Sequence, residues 1–581
     1  MPADRVVTPA EVYRSRWQQT LTRCRQAQHL DRRLGAVKLI GILVWLVLAW
    51  LALIEHWFAG LGLWLPLAGL AALFVWHDRV LTARRRAEQV AQHYERGLAR
   101  LEDRWSGTGD SGERFRDGRH AYAADLDLFG SGGLFELLSQ ARTAMGQQRL
   151  AAWMLAPAAP AVLHDRQQRV EALRERVDLR EAVAAVAADL DHSVDPQRLR
   201  RWAEGAPRFA GRWGQAGFAL VGAAALGLLG YGFATGQFAY IFLLVIAEAV
   251  LLHRLEPRLN PVLAERGANG AGLQLFAGVL ELLPTPPAGA SAALRRLATI
   301  SDWVEARGSL LGKALDYLLL YSVHLAYAAD GWRRRQGAQV GEWLESVAEF
   351  EALLSLAGYA YEHPGDPFAE VEAGGEPRFV GEELGHPLLP AAVCVRNGVA
   401  LEGEARVWLV SGSNMSGKST LLRTVGLNAV LAQMGAPVRA TRLRLTPLAV
   451  GTCLRTADSL QLGRSGFYAE ILRLRQILQL TEAALPLLFL FDELLDGTNS
   501  HDRVVGGEGL LRALLARPAV GLISTHDLAL TGVAAEMKGV RNVHFEDQIE
   551  GNDVRFDHHL RPGVVTRSNA LALMRIVGLD V

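Results

Sequence analysis

Residues 412–420 read GSNMSGKST and follow an apolar run, RVWLV, at residues 406–410. The next stretch, TLLRTVGLNAVLAQM at residues 420–434, has the composition of a helix. A strand, a G-x-x-x-x-G-K-[ST] loop and a helix in this order predict a P-loop, in which backbone amides wrap phosphate oxygens. The carboxy-terminal region is therefore predicted to be a parallel α/β sheet that binds a nucleotide.

The residues of this loop have expected roles toward ATP and Mg²⁺. Lys418 is expected to act catalytically by reaching the β- and γ-phosphates, and the Ser419 hydroxyl is expected to ligate Mg²⁺. Gly412 and Gly417 let the backbone amides approach the phosphates closely. The predicted nucleotide-binding residues in the loop are Gly412, Ser413, Asn414, Met415, Ser416, Gly417, Lys418, Ser419 and Thr420.

Two further apolar runs end in polar residues that suit catalysis. The run at 487–491 is followed by Asp492 and Glu493, and the run at 521–525 is followed by His526. We expect Asp492 to hold the magnesium ion and Glu493 to polarise the attacking water, because water at pH 7 is a poor nucleophile. His526 can sense or hold the γ-phosphate. Two acids at a strand end can also cap a helix, and a lone histidine is usually structural, but the P-loop upstream favours the catalytic interpretation.

The order and wording of five motifs point to one family. They are GSNMSGKST, then GRSGFYAEILRL at 463–474, DELLDGTNSHD at 492–502, STHDLAL at 524–530 and VRNVHFEDQ at 540–548. This series resembles the ATPase domain of the MutS family of mismatch-recognition proteins. An ABC transporter ATPase would carry Gly in place of Met415 and an LSGGQ signature, and the sequence has neither.

The resemblance extends upstream and implies further site residues. Residues 126–173 resemble the start of the MutS core domain, and ELGHPLL, residues 383–389, resembles the entry to the ATPase. His544 matches a position that packs on the adenine, and Val395 stands where the family has an aliphatic residue against the base. Ser465 matches a serine that reaches the partner's γ-phosphate in a dimer. The resemblance thus implies a homodimer with composite ATP and Mg²⁺ sites, and DNA as a possible partner.

Two pairs of apolar runs lie far upstream of the P-loop, at 39–54 and 57–76 and at 216–234 and 238–252. Their lengths approach the ~20 residues that cross a bilayer. Arginines flank both pairs, so the positive-inside rule places the flanks in the cytoplasm. We therefore predict four transmembrane helices in the lipid bilayer of the cytoplasmic (inner) membrane, a multi-pass protein with its ATPase domain in the cytoplasm. A buried core helix pair is the alternative interpretation.

One acid lies inside a predicted span. Glu248 is about one turn from the cytoplasmic end of its run, where we expect it to snorkel or to pair with Arg254. The three cysteines, Cys24, Cys394 and Cys453, are far apart and form no CxxC pair. Neither a disulfide framework nor a zinc site is therefore suggested.

The 581 residues should form several units of α and α/β class. Lys+Arg and Asp+Glu both number 61, and this neutral balance argues neither for nor against nucleic acid. The predicted order is a cytoplasmic amino-terminal segment (1–35), transmembrane hairpin 1 (36–78), a helical linker (79–125), MutS-like core helices (126–205), transmembrane hairpin 2 (206–254), shortened lever or core helices (255–370) and a MutS-like ATPase domain (371–581).

The departures from the family bear on function. Residues 1–125 are expected to hold a hairpin and a linker in place of the mismatch-reading domain, and the connector domain is also missing. We predict a membrane-anchored ATPase coupled to DNA binding and related to mismatch repair. The alternative is an ATP-driven switch for a membrane or protein partner that has lost DNA binding. The run Arg333–Arg335 would favour DNA, although an ordinary solvated helix face is the simpler interpretation. A third interpretation, one half of an ABC-type transporter, would need an LSGGQ signature and more transmembrane helices.

Overall fold

The computed structural model of the chain describes residues 7–54, 60–191, 193–209, 211–413, 415–454, 466–550 and 553–565. These residues fall into two compact units. Unit 1 comprises the described residues of Met1–Leu98, Ala141–Gly146 and Val177–Glu351, and unit 2 comprises the described residues of Ala99–Gln140, Gln147–Arg176 and Ala352–Val581.

The helices and strands are numbered in chain order. The helices are α1 (Pro9–Leu53), α2 (Trp64–Leu101), α3 (Leu134–Leu138), α4 (Ala144–Leu155), α5 (Pro160–Arg174), α6 (Val177–Asp191), α7 (Pro196–Glu204), α8 (Arg212–Thr235), α9 (Ala239–Leu263), α10 (Gly270–Glu281), α11 (Ala290–Ala306), α12 (Leu310–Leu319), α13 (Tyr321–Gln336), α14 (Val340–Glu362), α15 (Lys418–Met434), α16 (Gly466–Gln479), α17 (Ser500–Leu515) and α18 (Leu528–Ala535). The strands are β1 (Glu370–Val371), β2 (Phe379–Leu384), β3 (Asn397–Leu401), β4 (Val407–Ser411), β5 (Arg442–Leu445), β6 (Ala449–Cys453), β7 (Leu487–Phe491), β8 (Ala519–Thr525), β9 (Val540–Glu550) and β10 (Asp553–Pro562).

Unit 1 is helical and has a core rich in tryptophan. The rings of Trp202 on α7 and Trp332 on α13 stack with 6.0 Å between their centroids. Both indole N–H groups are satisfied, because Trp202 donates to the Val262 carbonyl at 2.9 Å and Trp332 to the Ala293 carbonyl at 2.7 Å. Burying aromatic surface while pairing its polar atoms is favourable, so these residues join α7, α9, α11 and α13.

The prediction of four transmembrane helices is not supported. Among the described residues, two helical stretches are long and apolar enough to cross a membrane, Pro9–Ala52 and Trp213–Thr235. The most apolar window of the first is 6% buried and that of the second is 17% buried. Both therefore leave most of their apolar surface uncovered.

Within the described residues, the other two predicted spans have shorter apolar parts. The apolar part of α2 in the described residues is 64–76, after which His77, Asp78 and Arg79 continue the same helix. In α9 the apolar part ends before His253. At 1.5 Å per residue these parts measure roughly 20 Å, which is less than the ~30 Å hydrocarbon core of a bilayer.

Glu248 does not occupy the position expected for it. The residue is 1% exposed, and neither carboxylate oxygen has a hydrogen-bond partner in the described part of the chain. The expectation that it snorkels or pairs with Arg254 is therefore wrong. Its side chain is buried within unit 1 instead.

Unit 2 contains a six-stranded sheet in the order β10-β9-β4-β8-β7-β6. Five of these strands run parallel, which confirms the predicted α/β class, and β10 pairs antiparallel with β9. Only two residues separate β9 from β10, so β10 returns beside β9 as a hairpin does. A second sheet, in the order β1-β5-β2-β3, was not predicted from the sequence.

Residues 99–140 contribute directly to unit 2. Asp125 accepts hydrogen bonds from the Thr452 hydroxyl at 2.7 Å and from the Leu454 amide at 3.2 Å, at the end of β6. Arg100 and Glu362 form a buried bidentate pair with both distances at 2.6 Å. Removing one partner of a buried ion pair leaves an uncompensated charge and is strongly destabilising. These contacts therefore fix residues 99–140 within unit 2.

Candidate nucleotide site

The P-loop connects β4 to α15 as the sequence predicts. Lys418 is 4% exposed, and its Nζ donates to the carbonyl oxygens of Gly412 and Ser413 at 2.8 Å each. Gly412 has φ of 148°, and a Cβ there would lie 2.9 Å from the Ser416 hydroxyl. Met415 has φ of 70° and is 85% exposed. The loop is therefore tightly wound, with the ammonium group held beneath it.

Three neighbouring strands bring the predicted catalytic residues to one edge of the sheet. Strand β4 pairs with β8, with Ser411 opposite Thr525, and β8 pairs with β7, with Ile523 opposite Phe491. Because the strands are parallel, the P-loop, the Asp492–Glu493 pair and His526 all follow the carboxyl ends of their strands. Ligands bind at this edge in open α/β sheets.

Ser524 organises the two acids. Its hydroxyl donates to Asp492 Oδ1 and accepts the amide N–H of Glu493 at 2.9 Å. Ser524 is fully buried, whereas Glu493 has φ of 48°, a backbone conformation uncommon for a residue with a side chain. The hydroxyl thus holds the turn that separates the two carboxylates. Analysis of the sequence missed Ser524, although its place beside His526 at a strand end was a usable signal.

His526 belongs to a small charged cluster. Arg503 on α17 places Nη1 3.2 Å from His526 Nε2 and Nη2 3.1 Å from Asp496 Oδ1. Arginine only donates, so His526 Nε2 accepts here and the ring proton lies on Nδ1. Arg503 also donates to the Leu495 carbonyl at 3.3 Å. It therefore ties the loop after Glu493 to His526, a role that no motif in the sequence indicates.

Glu470 on α16 also holds this loop. Its Oε1 accepts the Leu495 amide N–H at 2.7 Å, and burial raises the pKa of the Glu470 carboxyl above its ordinary value. The segment that begins α16 is therefore joined to the loop that follows the catalytic acids. Two predicted site residues, Ser465 and Asn414, lie outside the described residues.

A cavity of about 140 Å³ adjoins the P-loop. It is lined by Leu384, His386, Leu389, Val393, Cys394, Val395, Asn397, Gly417, Thr420, Leu421, Thr424, Phe545 and His558. Val395, which the resemblance implies to lie against the base, is one of these lining residues. His558, which the sequence analysis missed, lines the cavity, while His544 is not among the lining residues and its Nδ1 lies 3.1 Å from the Gly563 carbonyl oxygen.

The wall of this cavity carries little charge. His386 is 8% exposed, and burial together with the nearby Arg423 lowers the pKa of its imidazole to about 4. Its Nδ1 accepts the Leu388 amide N–H at 3.2 Å, a bond that only the unprotonated nitrogen can make. The imidazole is neutral at pH 7, so the cavity presents apolar and neutral groups that suit a flat heterocyclic base.

The P-loop residues fit a nucleotide with Mg²⁺. The buried Ser416 hydroxyl has no hydrogen-bond partner in the described part of the chain, and it lies in the loop whose amides would face phosphate. Ser419 is exposed at the start of α15 and offers a hydroxyl, and Asp492 offers a carboxylate. Hydroxyl and carboxylate oxygens are hard ligands of the kind that Mg²⁺ prefers.

The fold and the site define a class: a P-loop nucleotide-binding domain with its acidic and histidine partners on adjacent strands. Residues 408–580 match the family model described as MutS domain V. Over 195 residues, 33% of this chain and 25% of the relative, the sequence is 37% identical to Endonuclease MutS2 of Thermus thermophilus. Over 251 residues, 42% of this chain and 28% of the relative, it is 32% identical to DNA mismatch repair protein MutS of Dinoroseobacter shibae.

Residues 408–580 are therefore similar to domain V of the MutS family. The resemblance inferred from the five motifs is thereby confirmed. The matched region spans only about a quarter of the length of these curated relatives, 25% of one and 28% of the other.

Proposed function

We propose that this chain binds ATP with Mg²⁺ and hydrolyses it to ADP and phosphate. The observation that carries the proposal is the meeting of the P-loop, Asp492, Glu493 and His526 at one sheet edge. A buried lysine, two acids and a histidine at adjacent strand ends supply the charge and the proton acceptor that phosphoryl transfer to water needs.

Each residue has a distinct part in this chemistry. Lys418 stabilises negative charge on the β- and γ-phosphates, while Glu493 orients the attacking water and takes up its proton. Asp492 and Ser419 would hold Mg²⁺, which supplies positive charge to the phosphate oxygens. His526, held at its Nε2 by Arg503, would contact the γ-phosphate from the end of β8. Positioning by Ser524 and Arg503 keeps these groups in place before the reaction.

The base is proposed to lie in the 140 Å³ cavity. Val395 and Phe545 supply apolar contacts, and the imidazole of His558 supplies a flat face. His544 remains a prediction for this role, but its distance to Gly563 describes a contact with the loop after β10 and none with the cavity. His558 is therefore the better candidate.

We propose a homodimer with composite sites, in which Ser465 of each subunit reaches the γ-phosphate of its neighbour. The support is the MutS-type order of motifs around GRSGFYAEILRL and the link from Glu470 to the catalytic loop. ATP binding would close the two ATPase domains and hydrolysis would open them.

The first proposal for what the cycle of ATP binding and hydrolysis drives is DNA binding, in a role related to mismatch repair. Its support is the printed name of one relative, DNA mismatch repair protein MutS. The run Arg333–Arg335 contributes less than the sequence suggested, because Arg333 is 8% exposed and pairs with Asp330 at 2.6 Å. Only Arg334 and Arg335 of that run are exposed.

The alternative proposal is a membrane-anchored switch for a membrane or protein partner. The observation that favours it is the exposed apolar surface of the stretches Pro9–Ala52 and Trp213–Thr235. Such surface is costly in water and favourable in hydrocarbon. Anchoring in the cytoplasmic membrane, with the ATPase domain in the cytoplasm, is compatible with either output.

ATP hydrolysis is tested on the full chain purified in a neutral detergent. We expect Lys418→Ala to lose ATP binding and hydrolysis and Lys538→Ala, an exposed lysine of the same unit, to behave as wild type. Chelation of Mg²⁺ should stop hydrolysis in wild type. Equal hydrolysis by the Lys418→Ala and Lys538→Ala proteins would contradict the proposal.

The two outputs are separated by the steady-state hydrolysis rate without DNA and with matched, mismatched and branched duplexes, using Glu493→Gln as the blank. Stimulation by any duplex supports coupling to DNA, and the ratio between mismatched and matched duplex then measures selectivity. A rate that is the same with every duplex supports the membrane switch.

A further inference from the structure

Unit 1 contains a cavity of about 630 Å³ that the nucleotide chemistry does not use. It lies between α7, the loop that follows α7, and the end of α9. Its lining includes four arginines, Arg198, Arg201, Arg208 and Arg333, and one carboxylate, Glu265. Arg198 pairs with Asp195 at 3.2 Å and Arg333 with Asp330 at 2.6 Å, so the positive charge of the cavity rests mainly on Arg201 and Arg208.

Arg333 is fixed at the wall of this cavity. It is 8% exposed, its Nη1 donates to Asp330 Oδ1 at 2.6 Å, and its guanidinium carbon lies 5.2 Å from the centroid of the Trp202 ring. A Cβ at Gly205 would come within 2.6 Å of Arg333 Nη2, so the glycine leaves the space that the guanidinium occupies. A guanidinium held in this way is pre-organised and loses little side-chain entropy on binding a ligand.

Asp330 also shapes the loop that carries Arg208. Its Oδ2 accepts the backbone N–H groups of Arg208 and Phe209, both at 2.7 Å. The charge of Asp330 is thus shared between Arg333 and two amides. Arg201 and Arg208 themselves bond only carbonyl oxygens, those of Gln197 and Pro257, and neither has a carboxylate within ion-pair distance in the described part of the chain.

We propose that this cavity binds a phosphate group, either a free phosphate or the phosphate of an anionic lipid headgroup. Guanidinium groups match the geometry of phosphate oxygens and bind them in pairs, and Arg201 and Arg208 have no acidic partner among the described residues. A volume of about 630 Å³ also leaves room for the glycerol portion of a headgroup.

The position of the cavity explains why a lipid is one of the two sources. Arg208 lies just before α8, which begins at Arg212, and Trp213 at the start of its apolar stretch is 91% exposed. Pro261 and Ala264 at the end of α9 line the same cavity. Basic pockets at the ends of membrane helices lie at the depth of the lipid phosphates. The phosphate chemistry itself does not depend on a membrane or on ATP hydrolysis.

Binding is measured by calorimetry on the full chain in neutral detergent, with Lys418→Ala present throughout so that the P-loop does not capture phosphate. The probes are inorganic phosphate, a short-chain phosphatidylglycerol and a short-chain phosphatidylcholine. We expect Arg201→Gln/Arg208→Gln to weaken binding of the favoured probe by about tenfold or more, because both guanidinium groups that would bond the phosphate oxygens are lost. Arg334→Gln/Arg335→Gln, which removes the same charge from exposed positions outside the cavity, should leave binding unchanged.

Tighter binding of phosphatidylglycerol than of phosphate or phosphatidylcholine assigns the site to an anionic headgroup, and binding of phosphate alone assigns it to a free anion. Arg201→Lys/Arg208→Lys keeps the charge and should retain part of the affinity, which separates loss of binding from loss of folding. The proposal is overturned if no probe binds, or if both double Gln variants lose binding equally. It is also overturned if Arg201 and Arg208 are needed for binding a short DNA duplex but for binding none of the three probes.

Discussion

The Nδ1 atom of His558 lies 2.9 Å from the carbonyl oxygen of Ser416, so the last strand of the sheet is bonded directly to the phosphate loop. His558 has φ of 54°, and Asn397 Nδ2 donates to the backbone carbonyl oxygen of His558 at 3.0 Å. A Cβ at Gly417 would lie 3.3 Å from the same Nδ1. His558 therefore lines the 140 Å³ cavity and contacts the P-loop at the same time.

The first prediction concerns the base. We expect His558→Ala to weaken ATP binding by about 3- to 10-fold, because the flat imidazole face and its bond to the P-loop are both lost. Titration of a fluorescent ATP analogue measures the affinity. His544→Ala is the matched control, and a larger loss for His544→Ala than for His558→Ala would show that the base lies against the other histidine.

The second prediction concerns Ser524. We expect Ser524→Ala to lower the hydrolysis rate by about 10- to 100-fold, because the variant loses the hydroxyl that positions Asp492 and the Glu493 amide. The Mg²⁺ concentration needed for half-maximal rate should rise as well. Ser301→Ala removes a fully buried hydroxyl that has no hydrogen-bond partner in the described residues of unit 1, and it serves as the control. Equal rates for the two variants would remove Ser524 from the mechanism.

The third prediction is a pH dependence of stability. The pKa of His386 is lowered from 6.5 to about 4, so the folded state takes up this proton less readily than the unfolded state. Its stabilising contribution is complete above about pH 6.5 and is lost as the pH falls toward 4. The loss amounts to up to about 3 kcal/mol for a shift of this size.

Thermal unfolding between pH 7.5 and pH 4.5 measures this effect. The melting temperature of wild type should fall more steeply with decreasing pH than that of His386→Phe, which lacks the titrating group. Parallel curves for the two proteins would show that His386 is not held neutral by burial.

The fourth prediction concerns the composite site. Ser465→Ala and Lys418→Ala should each be inactive alone, whereas a mixture should recover part of the wild-type rate. In a mixed dimer, one site combines the intact Lys418 of one subunit with the intact Ser465 of its neighbour. The steady-state hydrolysis rate is measured after the two proteins are co-refolded or co-expressed. A mixture no more active than its separate components would place Ser465 outside the partner's site.

The sequence predicts the parts of the site that are contiguous in the chain. A P-loop is formed within nine residues by the backbone and by Lys418, so its motif carries its own geometry. Strand-end acids are visible for the same reason, because an apolar run that ends in Asp492 places that residue at the sheet edge.

Contacts between distant segments were not visible in the sequence. Arg503 acts through His526 and the loop after Glu493, and His558 acts through Ser416, far from it in the chain. Neither Arg503 nor His558 stands at a sequence distance from the motifs that would distinguish it from an ordinary surface residue. The number of membrane helices was overestimated for a related reason. Runs of apolar residues show composition, whereas the helix that carries each run, and how much of the run lies within it, became visible only in the structure.

The most direct measurement of the central claim is single-turnover cleavage of ATP by Glu493→Gln alongside wild type and Glu482→Gln, a change at an exposed acid of the same unit. We predict that Glu493→Gln binds ATP with nearly wild-type affinity and cleaves it roughly 100- to 10,000-fold more slowly, as expected when a proton acceptor is removed. Glu482→Gln should cleave ATP at the wild-type rate. Cleavage by Glu493→Gln at the wild-type rate, with ATP fully bound, would contradict the catalytic role assigned to this site.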